Sequence, residues 1–453
     1  MQRPPRPILG RVRGWTASST SFRAGYCLAL ALAFALAPSL PALDRVPWTV
    51  FAERRESLAA RHSDGLIVLF GLESGESRPS RAPFRQSSHF YYLTGCNEPG
   101  AALLIEPAGP GRPYRETLFL PPRTPQDELW HGRGVSPGDH RAYEQTGFAR
   151  ILARDELGQI LQQADRPVYS LLEDRQTPLT GSPHSERLLA ETEFTGELLE
   201  IRKSIAEMRM VKSPGEIRLL KQAVRATESA HLAAWKRLRP GLGEAQLLGP
   251  MLAEFLERGA LYPAYAPIIG AGLNSTALHY SRLDSAADAG DVVLFDVGAE
   301  YGGYAADITR TVPVSGRFSE RQRQVYDWVL GAQQAVIAAV KPGMKLRGKG
   351  RDSLHRRAVR YFEKQQDGLS DAFPHGIGHH VGLDVHDADT GDELRPGMVV
   401  TVEPGLYFPE ERLGVRIEDM VLVTEEGALV LSDHLPKAPD EIERLLQQFQ
   451  AER

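Results

Sequence analysis

Residues 292–312 read VVLFDVGAEYGGYAADITRTV. An apolar run is interrupted by Asp296, turns at Gly302-Gly303 and resumes beyond Asp307 as a second apolar run. Laid straight as one strand, the stretch would hold its two aspartates about 36 Å apart at about 3.3 Å per residue. Folded about a Glu300–Gly303 loop, it becomes a hairpin with Asp296 and Asp307 as direct cross-strand partners, their Cβ atoms about 5 Å apart. Two like charges so placed in an apolar setting repel unless a cation lies between them.

A second stretch repeats the arrangement. VVTVEPGLYF (399–408) and GVRIEDMVLV (414–423) reflect about residues 410 and 411, which sets Glu403 opposite Glu418. A lone acid in a strand reads first as an edge position or half of an ion pair. Two reflected pairs read differently beside HGIGHHVGLDVHD (375–387), which packs four histidines and two aspartates into thirteen positions. That segment is glycine-rich and not helical in pattern, so it resembles a strand entered from a loop. The adjacent His379 and His380 then point to opposite sides and one of them faces the carboxylates, though spacing alone does not say which. Four carboxylates with an imidazole suggest two divalent ions rather than one, and such a donor set suits Mn²⁺, with Co²⁺ or Zn²⁺ as alternatives.

Each hairpin closes a block of helices. Ser213-Pro214-Gly215-Glu216 is a capping box with proline at the first helical position. It opens a helix running to about Arg239, followed by a second at 244–259 and the hairpin of 291–313. Two further helices (about 318–341 and 346–364) precede the second hairpin (398–424), so the order of elements repeats without residue-level identity. Before residue 205 the pattern is different. GLIVLFG (65–71), HFYYLTG (89–95), AALLIEP (101–107) and ETLFLPP (116–122) read as strands, with Phe90, Tyr91 and Tyr92 as strand core, and helices are expected around 51–61 and 149–164. The expectation is an α/β (α+β) chain with a boundary near 205–212.

The 453 residues exceed what one core usually serves. Hydrophobic residues make up 42% and charged residues 25%, with a formal net charge of −5, so no clustered basic surface for nucleic acid is expected. The first 42 residues stand apart: five arginines and no acid lead into YCLALALAFALAPSL (26–40) and small residues near Ala42. This pattern is that of an export signal. The expected location is periplasmic or secreted with no membrane insertion after cleavage, and an uncleaved N-terminal anchor is the alternative. After cleavage Cys96 is the one cysteine left, so no internal disulfide forms and the thiol is expected to be buried. Gly270-Ala271-Gly272 and Gly302-Gly303 lack the following Lys-Ser/Thr of a phosphate loop.

The sequence from 213 to 437 resembles the pita-bread metallopeptidases, the group of methionine aminopeptidase, aminopeptidase P and prolidase. FDVGAEYGGYAADITRT, HGIGHHVGLDVHD, TVEPGLYF and GVRIEDMVLVT carry the resemblance, while FRQSSHFYYLTGCNEPGA (84–101) and ELWHGR (128–133) are similar to the N-terminal domain of bacterial aminopeptidase P. The resemblance implies a signal at 1–42, a creatinase-like α/β domain at 47–205, and a pita-bread catalytic domain at 213–440 with a pseudo-twofold helix-helix-hairpin repeat. It implies Asp296, Asp307, His379, Glu403 and Glu418 as ligands of two divalent metals. Asp296 would serve one ion, His379 and Glu403 the other, and Asp307 and Glu418 would bridge them. Glu403 doubles as the proton carrier, His386, His279 and Tyr407 contact substrate, Arg416 pairs with a nearby acid or Tyr407 and so orients the ligands, His380 is wall or support, and His375 is structural.

The activity implied is hydrolysis of the Xaa-Pro bond with release of the N-terminal residue, and prolidase-type cleavage of Xaa-Pro dipeptides is the alternative. Keeping all five ligands argues against creatinase and against a non-enzymatic binding module. The N-terminal segments argue against methionine aminopeptidase. Proline-containing peptides are the expected partners. A dimer or tetramer is the expected assembly, in which Trp130 could approach a neighbour's site.

Overall fold

The first half of the chain folds around a central strand, LIVLF (66–70), that is apolar and buried throughout, a composition that suits a sheet covered on both faces. In the computed structural model, residues 44–74, 84–172, 185–348, 350, 353–391 and 393–453 are described. The segment expected to direct export, with Cys27, lies outside them. Six strands, β1 (Leu66–Phe70), β2 (Ala102–Glu106), β3 (Arg115–Leu120), β4 (Ile151–Ala153), β5 (Val168–Ser170) and β6 (Leu198–Glu200), form one sheet in the order β4-β3-β2-β1-β5-β6. Alternation divides β1 between two layers: Ile67 and Leu69 join the main core, whereas Leu66, Val68 and Phe70 join a smaller cluster on the opposite face.

HFYYLTG is a helix, Ser88–Thr94, and not the strand its aromatic residues suggest. Gly95 ends it in the left-handed region at φ 62°, and the Thr94 hydroxyl donates to Phe90 O at 2.8 Å. Phe90, Leu93 and Thr94 are buried at helical spacing, so packing against the Trp48–Arg61 helix overrides β propensity. The helix expected over 149–164 is split into β4 and the shorter helix Glu156–Gln162. Cys96 is buried, and burial pushes its thiol up to about 12.

The Arg202–Met210 helix follows β6, and Ser213 then caps the Pro214–Arg237 helix as the sequence suggests. Glu216 Oε2 accepts from Ser213 N at 2.8 Å, while its Oε1 accepts from the Tyr304 hydroxyl at 3.0 Å. Residues 45–453 form one unit with a core continuous through both halves. No helix among the described residues is long and apolar enough to cross a membrane.

Four small sheets make up the second half. They contain β7 (Tyr262–Pro263), β8 (Ile268–Ala271), β9 (Val292–Asp296), β10 (Ala299–Tyr301), β11 (Tyr304–Ala305), β12 (Thr309–Pro313), β13 (Val399–Val402), β14 (Gly405–Phe408), β15 (Leu413–Arg416), β16 (Asp419–Val423) and β17 (Ala428–Val430). Their orders are β11-β10-β7, β12-β9-β8, β13-β16-β17 and β14-β15. The helix pairs Pro214–Arg237 with Glu244–Glu257, and Glu320–Ile337 with Leu354–Gln365, pack as the repeat predicts.

Candidate metal centre

Register decides where the acids fall. In the second hairpin Val402 pairs with Asp419 and Gly405 with Arg416, so Glu403 and Glu418 occupy matching positions between the two ladders, as the reflection predicts. The first hairpin differs from expectation. Glu300 pairs with Ala305 and Tyr301 with Tyr304, so the loop is Gly302-Gly303 alone, with φ of 58° and 85°. Two consecutive residues at positive φ make the tight type I′ connection, which only glycine enters freely. The shorter loop slides the ladder by two residues and sets Thr309, not Asp307, opposite Asp296. A slip of two keeps the side chains on the same face. Asp296 and Asp307 therefore still converge, and the Tyr265 hydroxyl lies 2.5 Å from Asp296 Oδ1 and 2.7 Å from Asp307 Oδ1.

Gly298 sits between these aspartates because nothing larger fits: a Cβ there would stand 1.8 Å from Ala306 O and 3.0 Å from Tyr265. Gly298→Ala is expected to displace both carboxylates and lower turnover by about 100-fold, since ~1 Å of misplacement costs on that order. Steady-state kinetics with metal content measured alongside checks this.

The histidine segment lies along the free edge of β13. Val381 N donates to Val399 O at 3.0 Å, Thr401 N to His379 O at 2.9 Å and Glu403 N to Ile377 O at 2.9 Å. It is strand-like in pairing, although a single β-bridge, His380 to Val400, marks it. His379 faces the acids: Nε2 is 3.3 Å from Asp307 Oδ2 and 3.5 Å from Glu403 Oε1, while Nδ1 lies 3.1 Å from His380 O. A backbone acceptor on Nδ1 leaves Nε2 as the coordinating nitrogen. His380 points the other way, with Nε2 3.8 Å from Asp389, and is not wall of this site.

One donor atom each from Asp307, His379 and Glu418 lies within 4.8 Å of the others. All five expected ligands line one cavity of about 550 Å³, shared with His279, His386, Arg416 and His375. Burial, compounded by the neighbouring carboxylates, raises the Glu418 carboxyl well above its usual range. Burial likewise raises Asp307, and pushes Glu403 up to about 7 against the pull of His379 and Arg416. Burial opposes charge on His379, yet Asp307 and Glu403 hold its imidazole up at about 9. Arg416 Nη2 reaches Asp296 Oδ2 at 2.5 Å and Nη1 reaches the Tyr407 hydroxyl at 2.9 Å. One guanidinium and one imidazolium leave four carboxylates short of compensation. The donor set therefore fits divalent cations, with mostly hard oxygen ligands and one nitrogen.

Around the ligands, His386 stacks on His379 with centroids 3.9 Å apart, and burial lowers its pKa to about 4, so the ring is neutral. His375 Nε2 meets the Tyr407 hydroxyl at 2.9 Å, and its Nδ1 lies 3.8 Å from Glu403 Oε2. Sequence reasoning missed Tyr265, Thr309 and Thr401. Thr309 Oγ1 donates to Glu418 Oε2 at 2.6 Å, and Thr401 Oγ1 contacts Glu403 Oε1 at 3.2 Å. The threonines carried a signal, since each lies two residues from a named acid and shares its face. Tyr265 carried none.

Residues 51–169 match the aminopeptidase P N-terminal domain and residues 218–425 match metallopeptidase family M24. The chain is 34% identical over 431 residues to the Xaa-Pro aminopeptidase of Haemophilus influenzae, covering 89% of this chain and 98% of that one. It is 35% identical over 449 residues to the Xaa-Pro aminopeptidase of Escherichia coli, covering 87% and 97%. Among solved structures, Escherichia coli aminopeptidase P with the inhibitor Pro-Leu matches with a TM-score of 0.79 at 33% identity, over 90% of this chain and 100% of that one.

Proposed function

The chain belongs to metallopeptidase family M24, with the N-terminal domain of aminopeptidase P, and from that premise we propose that it is a Xaa-Pro aminopeptidase. The observation that carries the reading is the convergence of four carboxylates and the His379 imidazole on one cavity of about 550 Å³. Asp296, Asp307, His379, Glu403 and Glu418 would hold two divalent ions, with Mn²⁺ as the metal. Bound there, the ions would lower the pKa of a water and polarise the scissile carbonyl.

The remaining steps fall to side chains. Glu403, a cavity-lining carboxylate 3.5 Å from His379 Nε2, takes the proton of the attacking water and returns it to the proline nitrogen. That nitrogen is a tertiary amide in the substrate and leaves only when protonated. His386, neutral and facing the cavity, donates its N–H to the carbonyl oxygen as charge develops. His279, which lines the same cavity, contacts the substrate as well. Arg416 fixes Asp296 through the 2.5 Å contact and Tyr407 through the 2.9 Å one.

The reading extends to domains at 47–205 and 213–440, export by the N-terminal segment, and a homo-oligomer that covers the 73%-exposed Trp130. Stripping with a chelator is expected to abolish hydrolysis of a Xaa-Pro-Xaa tripeptide, and Mn²⁺ to restore it. Cleavage confined to the Xaa-Pro dipeptide would reassign the chain as a prolidase. No cleavage with Mn²⁺, Co²⁺ or Zn²⁺ would overturn the peptidase reading.

A further inference from the structure

Two buried cations beside the junction of the two halves take no part in the steps above. The side chains of Arg209, in the Arg202–Met210 helix, and Lys212, just after it, are 3% and 1% exposed. Both close on Asp387. Arg209 Nη2 donates to its Oδ1, and Lys212 Nζ donates to its Oδ2 at 3.1 Å. The same Arg209 nitrogen donates to Asp384 Oδ2 at 2.8 Å, and Nη1 meets His89 Nδ1 at 3.1 Å. Burying an ion costs several kcal/mol, and apolar residues of equal volume often serve stability as well. Packing alone is a poor reason for this triad.

A better reason lies one residue away. Asp387 directly follows His386, whose ring stacks on the His379 ring at 3.9 Å with 24° between planes. Asp387 N donates to His380 O at 2.8 Å, which ties the segment back to the residue after His379. The fit is close enough that a Cβ on Gly382 would stand 2.2 Å from Asp387 Oδ2. From the first half of the chain, Ser88 Oγ donates to Asp384 Oδ1 at 2.7 Å, and Arg85 donates to Leu383 O. The 380–387 segment is thus pinned at its middle and at its end, and it brings His386, beside Val385, to the cavity.

We propose that Arg209, Asp387 and Lys212 are positioning residues that set the tilt of the His386 imidazole over His379 and so aim its N–H at the substrate carbonyl. The inference rests on the role given to His386 above. Asp387→Asn keeps the shape of the side chain and removes the charge that holds both cations. In the full-length, Mn²⁺-loaded enzyme it is expected to lower kcat for a Xaa-Pro-Xaa tripeptide by about 10- to 100-fold, with metal content unchanged. Combined with His386→Ala, it should add less than about twofold, because the imidazole it acts through is gone. Lys212→Met removes one donor and gives the same cycle should Asp387→Asn not fold.

If His386→Ala is impaired and Asp387→Asn slows it by the same factor as it slows the parent, the positioning role is overturned while the role of His386 stands. If His386→Ala is as active as the parent, the role of His386 falls and the inference falls with it. A loss confined to the background that retains His386 establishes the coupling.

Discussion

Glu403→Gln is expected to lower kcat by about three orders of magnitude while leaving the fold intact. The carboxylate is asked to carry a proton between the attacking water and the departing nitrogen, work that contributes about 10²–10⁴ in rate. An amide of the same shape can do neither half of it. Glu403 Oε1 lies 3.5 Å from His379 Nε2 and 3.2 Å from the Thr401 hydroxyl, so the glutamine has partners and no cavity opens. Stability gives an independent reading. The Glu403 pKa rises from its ordinary 4.5 to about 7 in the folded metal-free protein, so the unfolded chain releases this proton first as pH rises. The metal-free parent should therefore lose stability relative to the variant between about pH 4.5 and 7. Thermal melts of both proteins across that window, beside tripeptide kinetics with Mn²⁺, check the two halves. Parental turnover in the variant would remove Glu403 from the proton path.

Arg310→Met is expected to cost about 3–5 kcal/mol, the usual loss when one partner of a buried ion pair is removed. Arg310 is fully buried beside the metal centre, and its fork spans the two hairpins. Nη2 donates to Asp419 Oδ1 at 2.8 Å, Nη1 to Glu418 O at 2.7 Å and Thr309 O at 2.9 Å, and Nε to Pro436 O at 3.1 Å. Methionine fills much of the volume and satisfies none of these acceptors. Lys437 and Gln333 remain on Asp419, so its charge is not wholly abandoned, but the backbone carbonyls are. Urea unfolding should show the loss. Arg310→Lys should recover only part of it, because an ammonium cannot span both strands. A variant within 1 kcal/mol of the parent would contradict this account.

Much of the site is legible in the sequence because its chemistry is carried by residues whose cost is conspicuous. Four carboxylates inside apolar strands are expensive, so Asp296, Asp307, Glu403 and Glu418 announce themselves, and alternation fixes their faces even when register is misjudged by two. The capping box at Ser213 and the apolar runs of β1 to β3 are equally plain, since local rules and burial agree there. HFYYLTG misleads because aromatic residues favour strands when considered locally, whereas Gly95 and the Trp48–Arg61 helix decide the outcome. Tyr265 escapes notice for the opposite reason. It lies between β7 and β8 in a run with no charge pattern, and its partnership with Asp296 and Asp307 exists only after folding. The pairing of Arg209 and Lys212 with Asp387 is likewise invisible, because nothing local joins residues so far apart.

The division of the acids between two hairpins has a consequence for how the site assembles. Asp296 ends β9 and Asp307 precedes β12, while Glu403 and Glu418 occupy the corresponding gaps of the later hairpin, with His379 lying between the two pairs in sequence. A nascent chain that has completed its first hairpin owns only half of the oxygen donors, and they repel one another. The donors come together only when the later hairpin, with Glu418, has packed against Asp307 and His379. A divalent ion held there would join two hairpins distant in sequence, as a rivet joins two plates.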